Sequence, residues 1–136
     1  TLPLELAGST VRDFSVRFEA GRAVAIEGGS GVDALLAHIG RDDGAARLGE
    51  LALVDGSSRI GRLGTVFHTT LLDENAASHM AFGQGFDWAV DEGDRDRVNR
   101  SEIHVDFMWG GPSVDVHGVT ATGDEVPVLV DGRWLI

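Results

Sequence analysis

Nineteen glycines punctuate this chain and separate apolar runs of only a few residues. Glycine reaches the backbone conformations that tight turns require, so this spacing predicts many short strands joined by turns. Disorder is excluded, because hydrophobic residues make up 43% of the chain and can bury a core. At 136 residues the chain is expected to form one domain, residues 1–136, without disulfide staples. It has no cysteine, which removes thiolate chemistry and fits a reducing, cytoplasmic setting.

Residues 10–29, TVRDFSVRFEAGRAVAIEGG, read as a β-hairpin. Val11, Phe14, Val16 and Phe18 make its first apolar run, Glu19-Ala20-Gly21-Arg22 its turn, and Ala23 to Ile26 its return. A helix is expected next, capped by Ser30, with Val32, Leu35, Leu36 and Ile39 at helical spacing and Gly40 as its stop. A shorter helical turn is expected around 44–48. Glu50 to Asp55 alternates as a strand, and 56–64 reads as a surface loop. A second helix is expected from Asp73, as N-cap, through the alanines to about Phe82, with Gly83 ending it. Residues 87–102 are charged and lack periodicity, and read as a surface loop. The tail alternates between β-runs and turn signals, with TGDE and VDGRW as hairpin turns. The sum is an α+β fold: a β-rich mixed or antiparallel sheet with two main helices.

The formal net charge of −11 argues against nucleic acid or an anionic membrane surface as a partner. No apolar run approaches the roughly 20 residues that span a bilayer as a helix.

The chemistry concentrates in SEIHVDFMWGG, residues 101–111. Side chains alternate across a strand, so His104 and Asp106 share a face, about 7 Å apart along it. That spacing suits two groups converging on one metal, although a hydrogen-bonded polar pair is the commoner use of such a pattern. His79 would share a helix face with Asn75, where it can equally serve as a helix-end charge. Glu50 opens an apolar strand, facing either water or a partner that satisfies its carboxylate. Asp73 and Glu74 complement a helix N-terminus. His38 is expected to face solvent, and His68 and His117 lack partners at a useful spacing.

Other site types find little support. GGSG at 28–31 precedes a helix and could receive an anion, but it lacks the Walker lysine and the full dinucleotide fingerprint. No Gly-x-Ser-x-Gly elbow is present. Metal chemistry is the constellation with several ligands: two histidines, one aspartate and one glutamate.

Taken in order, RLGELALVD, FHTTLLDENAASHMAFG and NRSEIHVDFMWG, followed by VDVHG and GDEVPVLVDGRW, cover most of the chain. These blocks resemble the aminopeptidase T type of thermophilic metalloaminopeptidases. The resemblance implies removal of N-terminal residues from peptide substrates at a centre of two divalent metal ions, with zinc, cobalt and magnesium as the associated metals. It implies Glu50, His79, His104 and Asp106 as metal ligands, a homodimer, and Glu74 as an acid/base or supporting group.

Three departures follow from the same resemblance. The family has a further glutamate ligand in a PTEE segment upstream of a PL pair, and this chain starts at TLPLELAG. The family's active-site tyrosine, seven residues past the helix histidine, is Phe86 here, and the chain has no tyrosine at all. His117 stands where the family often has Asp. The chain is therefore expected to be the C-terminal metal-binding part of a two-domain metalloaminopeptidase, weak in metal binding and poor in catalysis by itself. The alternatives are a catalytically dead relative acting as a binding or assembly module, and a β-rich domain whose His and Asp are structural.

Overall fold

Three tight turns set the β-rich character of the chain. Ala7-Gly8, Ala20-Gly21 and Asp131-Gly132 each place two consecutive residues at positive φ, which matches the twist of strands joined by two-residue loops. They join β1 (Leu4–Leu6) to β2 (Ser9–Val11), β3 (Ser15–Glu19) to β4 (Arg22–Glu27), and, late in the chain, β9 (Glu125–Val130) to β10 (Arg133–Trp134). The computed structural model describes residues 1–111 and 113–136. Between these hairpins lie α1 (Val32–Ile39), β5 (Leu48–Ala52), α2 (Thr70–Glu74), β6 (His79–Gly83), β7 (His104–Met108) and β8 (Val116–Val119). The fold is α+β, and every strand pair among the described residues is antiparallel.

Strands β5, β6 and β7 form a three-stranded sheet in that order. Strand alternation turns Phe82, Val105 and Phe107 of β6 and β7 to one face. There they pack with Leu4, Val11, Phe14, Leu35, Ala45 and Ile103 into the core. The Phe82 ring lies 4.9 Å from that of Phe107 and 5.6 Å from that of Phe18, tying the β3-β4 hairpin to the sheet. The opposite face is left for polar groups.

Several sequence expectations are corrected here. The helix expected from Asp73 to Phe82 is two elements: α2 ends at Glu74, and β6 begins at His79. Asp73 is not an N-cap. It lies inside α2, buried, and its carboxylate accepts the N–H groups of Phe67 and Thr69 at 2.7 and 3.0 Å. Alanine propensity favoured continuing the helix, but Met80 and Phe82 gain more by alternating against the core as a strand. Asn75 caps the C-terminus of α2 and its amide bonds back to the Leu71 carbonyl, so it shares no helix face with His79.

Ser30 does not cap α1. Gly31 holds that position at φ +77°, and a Cβ there would lie 2.5 Å from the Thr10 carbonyl oxygen. β5 starts two residues earlier than the Glu50 to Asp55 reading, at Leu48. Residues 87–102 form a surface stretch that contains 3-10 turns at Asp87–Ala89 and Glu92–Arg97. No described helix is long and apolar enough to cross a membrane.

Candidate metal centre

The polar face of the β5-β6-β7 sheet is organised by register. Ala81, at the middle of β6, stands opposite Glu50 on one side and Asp106 on the other. Residues directly opposite in an antiparallel pair point to the same face, so both carboxylates rise on either side of a methyl group. His79 lies two residues back along β6 and His104 two residues back along β7, on that same face. The sequence reading placed His104 and Asp106 together by alternation, and they are together. It reached His79 through a helix, whereas a strand delivers it.

A bulge makes Glu50 available. Leu48 pairs with Phe82 and Glu50 with Ala81, so Gly49 is the extra residue. Without it, Leu48 and Glu50 would point to one face; with it, Leu48 can turn with Phe82 to the core while Glu50 turns to the polar side. A Cβ at residue 49 would lie 2.4 Å from the Gly83 carbonyl oxygen, so only glycine fits.

The converging atoms are close. Glu50 sends one oxygen to each imidazole: Oε1 lies 3.5 Å from Nε2 of His79, and Oε2 lies 3.4 Å from Nε2 of His104. His104 Nε2 also lies 3.2 Å from Oδ1 of Asp106. Ligand atoms of Glu50, His79 and Asp106 all lie within 4.8 Å of one another. Both histidines are oriented from behind. The Nδ1–H of His79 donates to the Ala77 carbonyl at 3.1 Å, and that of His104 to the Gln84 carbonyl at 2.7 Å. Each therefore presents Nε2 to the carboxylates, as metal-binding histidines do.

Those distances fit a cation. Two ligand atoms that share an ion, each roughly 2.0–2.2 Å from it in tetrahedral geometry, stand about 3.4 Å from one another. Mixed imidazole and carboxylate donors suit divalent first-row ions. The electrostatics point the same way. The hydrogen bond to Asp106, against the opposing effect of burial, raises His104 to about 9. Burial would raise Asp106, but the hydrogen bond and charge of His104 outweigh it and hold Asp106 below the usual carboxylate range. Glu74, hydrogen-bonded to Asp106, is pushed up by burial and by the Asp106 charge. Carboxylates this close call for a positive charge among them, either a proton or a metal ion.

The remaining sequence candidates sort clearly. Phe86 is at the site, its ring 4.8 Å from the His104 ring and stacked 5.1 Å from Trp88. His38 is half-buried and bonds the Ala34 carbonyl. His68 is not without a partner: it pairs with Glu5 at 3.0 Å, while His117 lies 3.6 Å from Glu125. Sequence reasoning missed Gln84 and Ala77, because a backbone carbonyl carries no side-chain signal. A cleft of about 580 Å³, with Arg62 and Arg133 on its walls, adjoins Ser78 but contains none of the converging groups.

The thermophilic metalloprotease (M29) family matches residues 1–134. Aminopeptidase T of Thermus aquaticus is 43% identical over 98% of this chain, and aminopeptidase 2 of Geobacillus stearothermophilus 37% identical over 98%. The chain spans about a third of the length of these relatives, 34% of each. The structure of wild-type AmpT from Thermus thermophilus superposes on all of this chain with a TM-score of 0.89 at 42% identity, over 35% of its own length.

Proposed function

The chain belongs to the thermophilic metalloprotease (M29) family, and from that premise we propose that its polar sheet face is the metal-binding part of an aminopeptidase. The observation that carries this reading is the Glu50 carboxylate, which faces a different imidazole with each of its oxygens. A carboxylate so placed can bridge two cations. Glu50, His79, His104 and Asp106 would hold the divalent ions, with Glu50 between the two histidines. Zinc and cobalt suit these mixed donors, whereas magnesium, which prefers oxygen ligands, suits them least.

When bound, the ions would supply a water of lowered pKa and polarise the scissile carbonyl. The chain's own residues do the rest. The Ala77 and Gln84 carbonyls fix the orientation of each imidazole, with Nε2 turned to the carboxylates. Glu74 contacts Asp106, and burial followed by the Asp106 charge raises its carboxyl above the usual range, which suits a group that takes and returns a proton. The reading takes residues 1–136 as a single domain, the C-terminal part of the active unit, with peptides as substrates, a homodimer as its assembly and the cytoplasm as its setting. The relatives' greater length supports seeking the remaining ligand outside residues 1–136.

Titration calorimetry of the intact protein with zinc and cobalt tests this, together with turnover of L-leucine p-nitroanilide. Metal binding abolished by His79→Ala and by Glu50→Gln supports the reading, and stoichiometry separates one ion from two. Metal binding that survives both changes overturns it.

One observation favours a second reading, a catalytically dead relative serving as a binding or assembly module. Phe86 puts an apolar ring beside His104, where a phenol could donate to a developing oxyanion. Retention of all four donors in ligand spacing favours the enzyme.

A further inference from the structure

His104 takes its orientation from a backbone carbonyl, that of Gln84, and a carbonyl turns only with its peptide plane. We propose that Asn99 is the positioning residue that holds this plane, and through it sets how His104 presents Nε2 to the carboxylates. This rests on the metal-centre reading and adds a residue that acts on a ligand from behind.

The peptide group joining Gln84 to Gly85 is planar, with its C=O and N–H pointing in opposite directions. Its carbonyl accepts the Nδ1–H of His104 at 2.7 Å, and its N–H, on Gly85, donates to the Asn99 carbonyl at 3.0 Å. The preceding peptide group is held in the same way. Its N–H, on Gln84, donates to the Ile103 carbonyl at 2.7 Å, and its carbonyl, on Gly83, accepts from the Asn99 amide at 2.6 Å. Asn99 therefore holds one edge of both peptide groups that meet at Gln84. Swinging the Gln84 carbonyl away from His104 would also swing the Gly85 N–H away from Asn99.

The side chain suits this task. An asparagine amide nitrogen carries two donors on a short, neutral stem. Asn99 uses both, one on Gly83 and one on the Gly44 carbonyl at 2.9 Å, which ties it to the segment after α1. Aspartate has the same shape but only acceptors, and would face two carbonyl oxygens. The turn has little slack around it. A Cβ on Gly49 would lie 2.5 Å from the Gln84 carbonyl oxygen, and one on Gly85 would lie 2.8 Å from Cγ1 of Val98. The Gln84 side chain joins the same frame, its Oε1 accepting the Ser101 N–H at 3.0 Å. Residues 99–101 thus meet the turn at 83–85 immediately before His104 opens β7.

The test compares two histidines within one protein. Nuclear magnetic resonance of the metal-free, intact protein with isotope-labelled histidine reads the Nδ1–H of His104, on Gln84, and that of His79, on Ala77. In Asn99→Ala the His104 ring-proton signal is expected to be lost to solvent exchange, while that of His79 stays. Asn99→Asp, equal in size, should reproduce the loss and serves if Asn99→Ala does not fold. Cobalt affinity by calorimetry is expected to fall roughly tenfold or more, the scale on which groups behind metal ligands act. Ile39→Val, which trims the core packing and touches none of these bonds, should leave that affinity unchanged.

A His104 ring signal that persists in both Asn99 variants overturns the proposal. Equal loss of the His104 and His79 signals also overturns it, because Asn99 would then stabilise the fold at large. Cobalt affinity that falls no further in the Asn99 variants than in Ile39→Val overturns it too. A wild type that binds no cobalt strikes the metal-centre reading itself, and the ring-proton comparison then decides for or against Asn99 without it.

Discussion

Nε2 of His104 lies 3.2 Å from Oδ1 of Asp106, while the opposite ring nitrogen donates to the Gln84 carbonyl. The imidazole is clamped between a backbone acceptor and a carboxylate, so both of its nitrogens are favoured to carry a proton. In the metal-free protein this favours imidazolium, and the group is raised to about 9, chiefly by its hydrogen bond to Asp106. A raised histidine contributes stability that is fully present below its unfolded value, about 6.5, and is lost as pH rises through the folded value. Thermal unfolding of the chelated protein should therefore show stability falling from about pH 6.5 to 9. His104→Gln should flatten that slope. Equal slopes in wild type and variant would refute the coupling.

Ala81 separates Glu50 from Asp106 and is fully buried. Ala81→Val adds two methyl groups where the two carboxylates converge. Overpacking of this kind costs about 1–3 kcal/mol. The variant should lose zinc affinity by calorimetry out of proportion to its modest loss of stability in urea.

Restoring a hydroxyl at Phe86 is the most direct test of whether the site is catalytic. Phe86→Tyr in the metal-loaded intact protein should raise kcat roughly 10²-fold, the scale of one oxyanion-hole donor. No gain at saturating metal would favour the dead module.

Asp73 is buried and accepts two backbone N–H groups that lead into α2. Asp73→Ala leaves both donors without their acceptor, at a cost of about 3 kcal/mol. Urea denaturation should show a lower midpoint, and zinc affinity should weaken with it, because α2 presents Glu74 to Asp106.

Asp42 fastens the segment that precedes β7. Its carboxylate accepts Glu102 N–H and Ser101 Oγ–H, both at 2.9 Å, and Gly44 N–H at 2.8 Å. The Glu102 bond leads in holding its carboxyl below the ordinary aspartate range. For a lowered acid the sign reverses: the contribution is present above the unfolded value, about 4, and is lost as pH falls through the folded one. Melting temperatures measured from pH 6 down to pH 2 should fall more steeply in wild type than in Asp42→Asn.

The strand alternation of Ile103 to Phe107 was legible in the chain, and it correctly put His104 and Asp106 on one face. The turns at Ala20-Gly21 and Asp131-Gly132 were legible too, because glycine at a tight position has a local cause. His79 was misread. The same residues support two periods, and local propensity favoured the helical one. The outcome depended on Met80 and Phe82 finding a core built from β2, α1 and β7, far away in sequence.

The residue types that can bind a cation, and the shared face of two of them, were determined by the sequence itself. That Glu50 joins them was decided by tertiary structure alone. It required the Gly49 bulge, the β5-β6 register, and a small residue at Ala81 to let the carboxylates approach. Alternation acts between near neighbours on one strand, whereas convergence across three strands is a property of register, and register is set by how the opposite face packs.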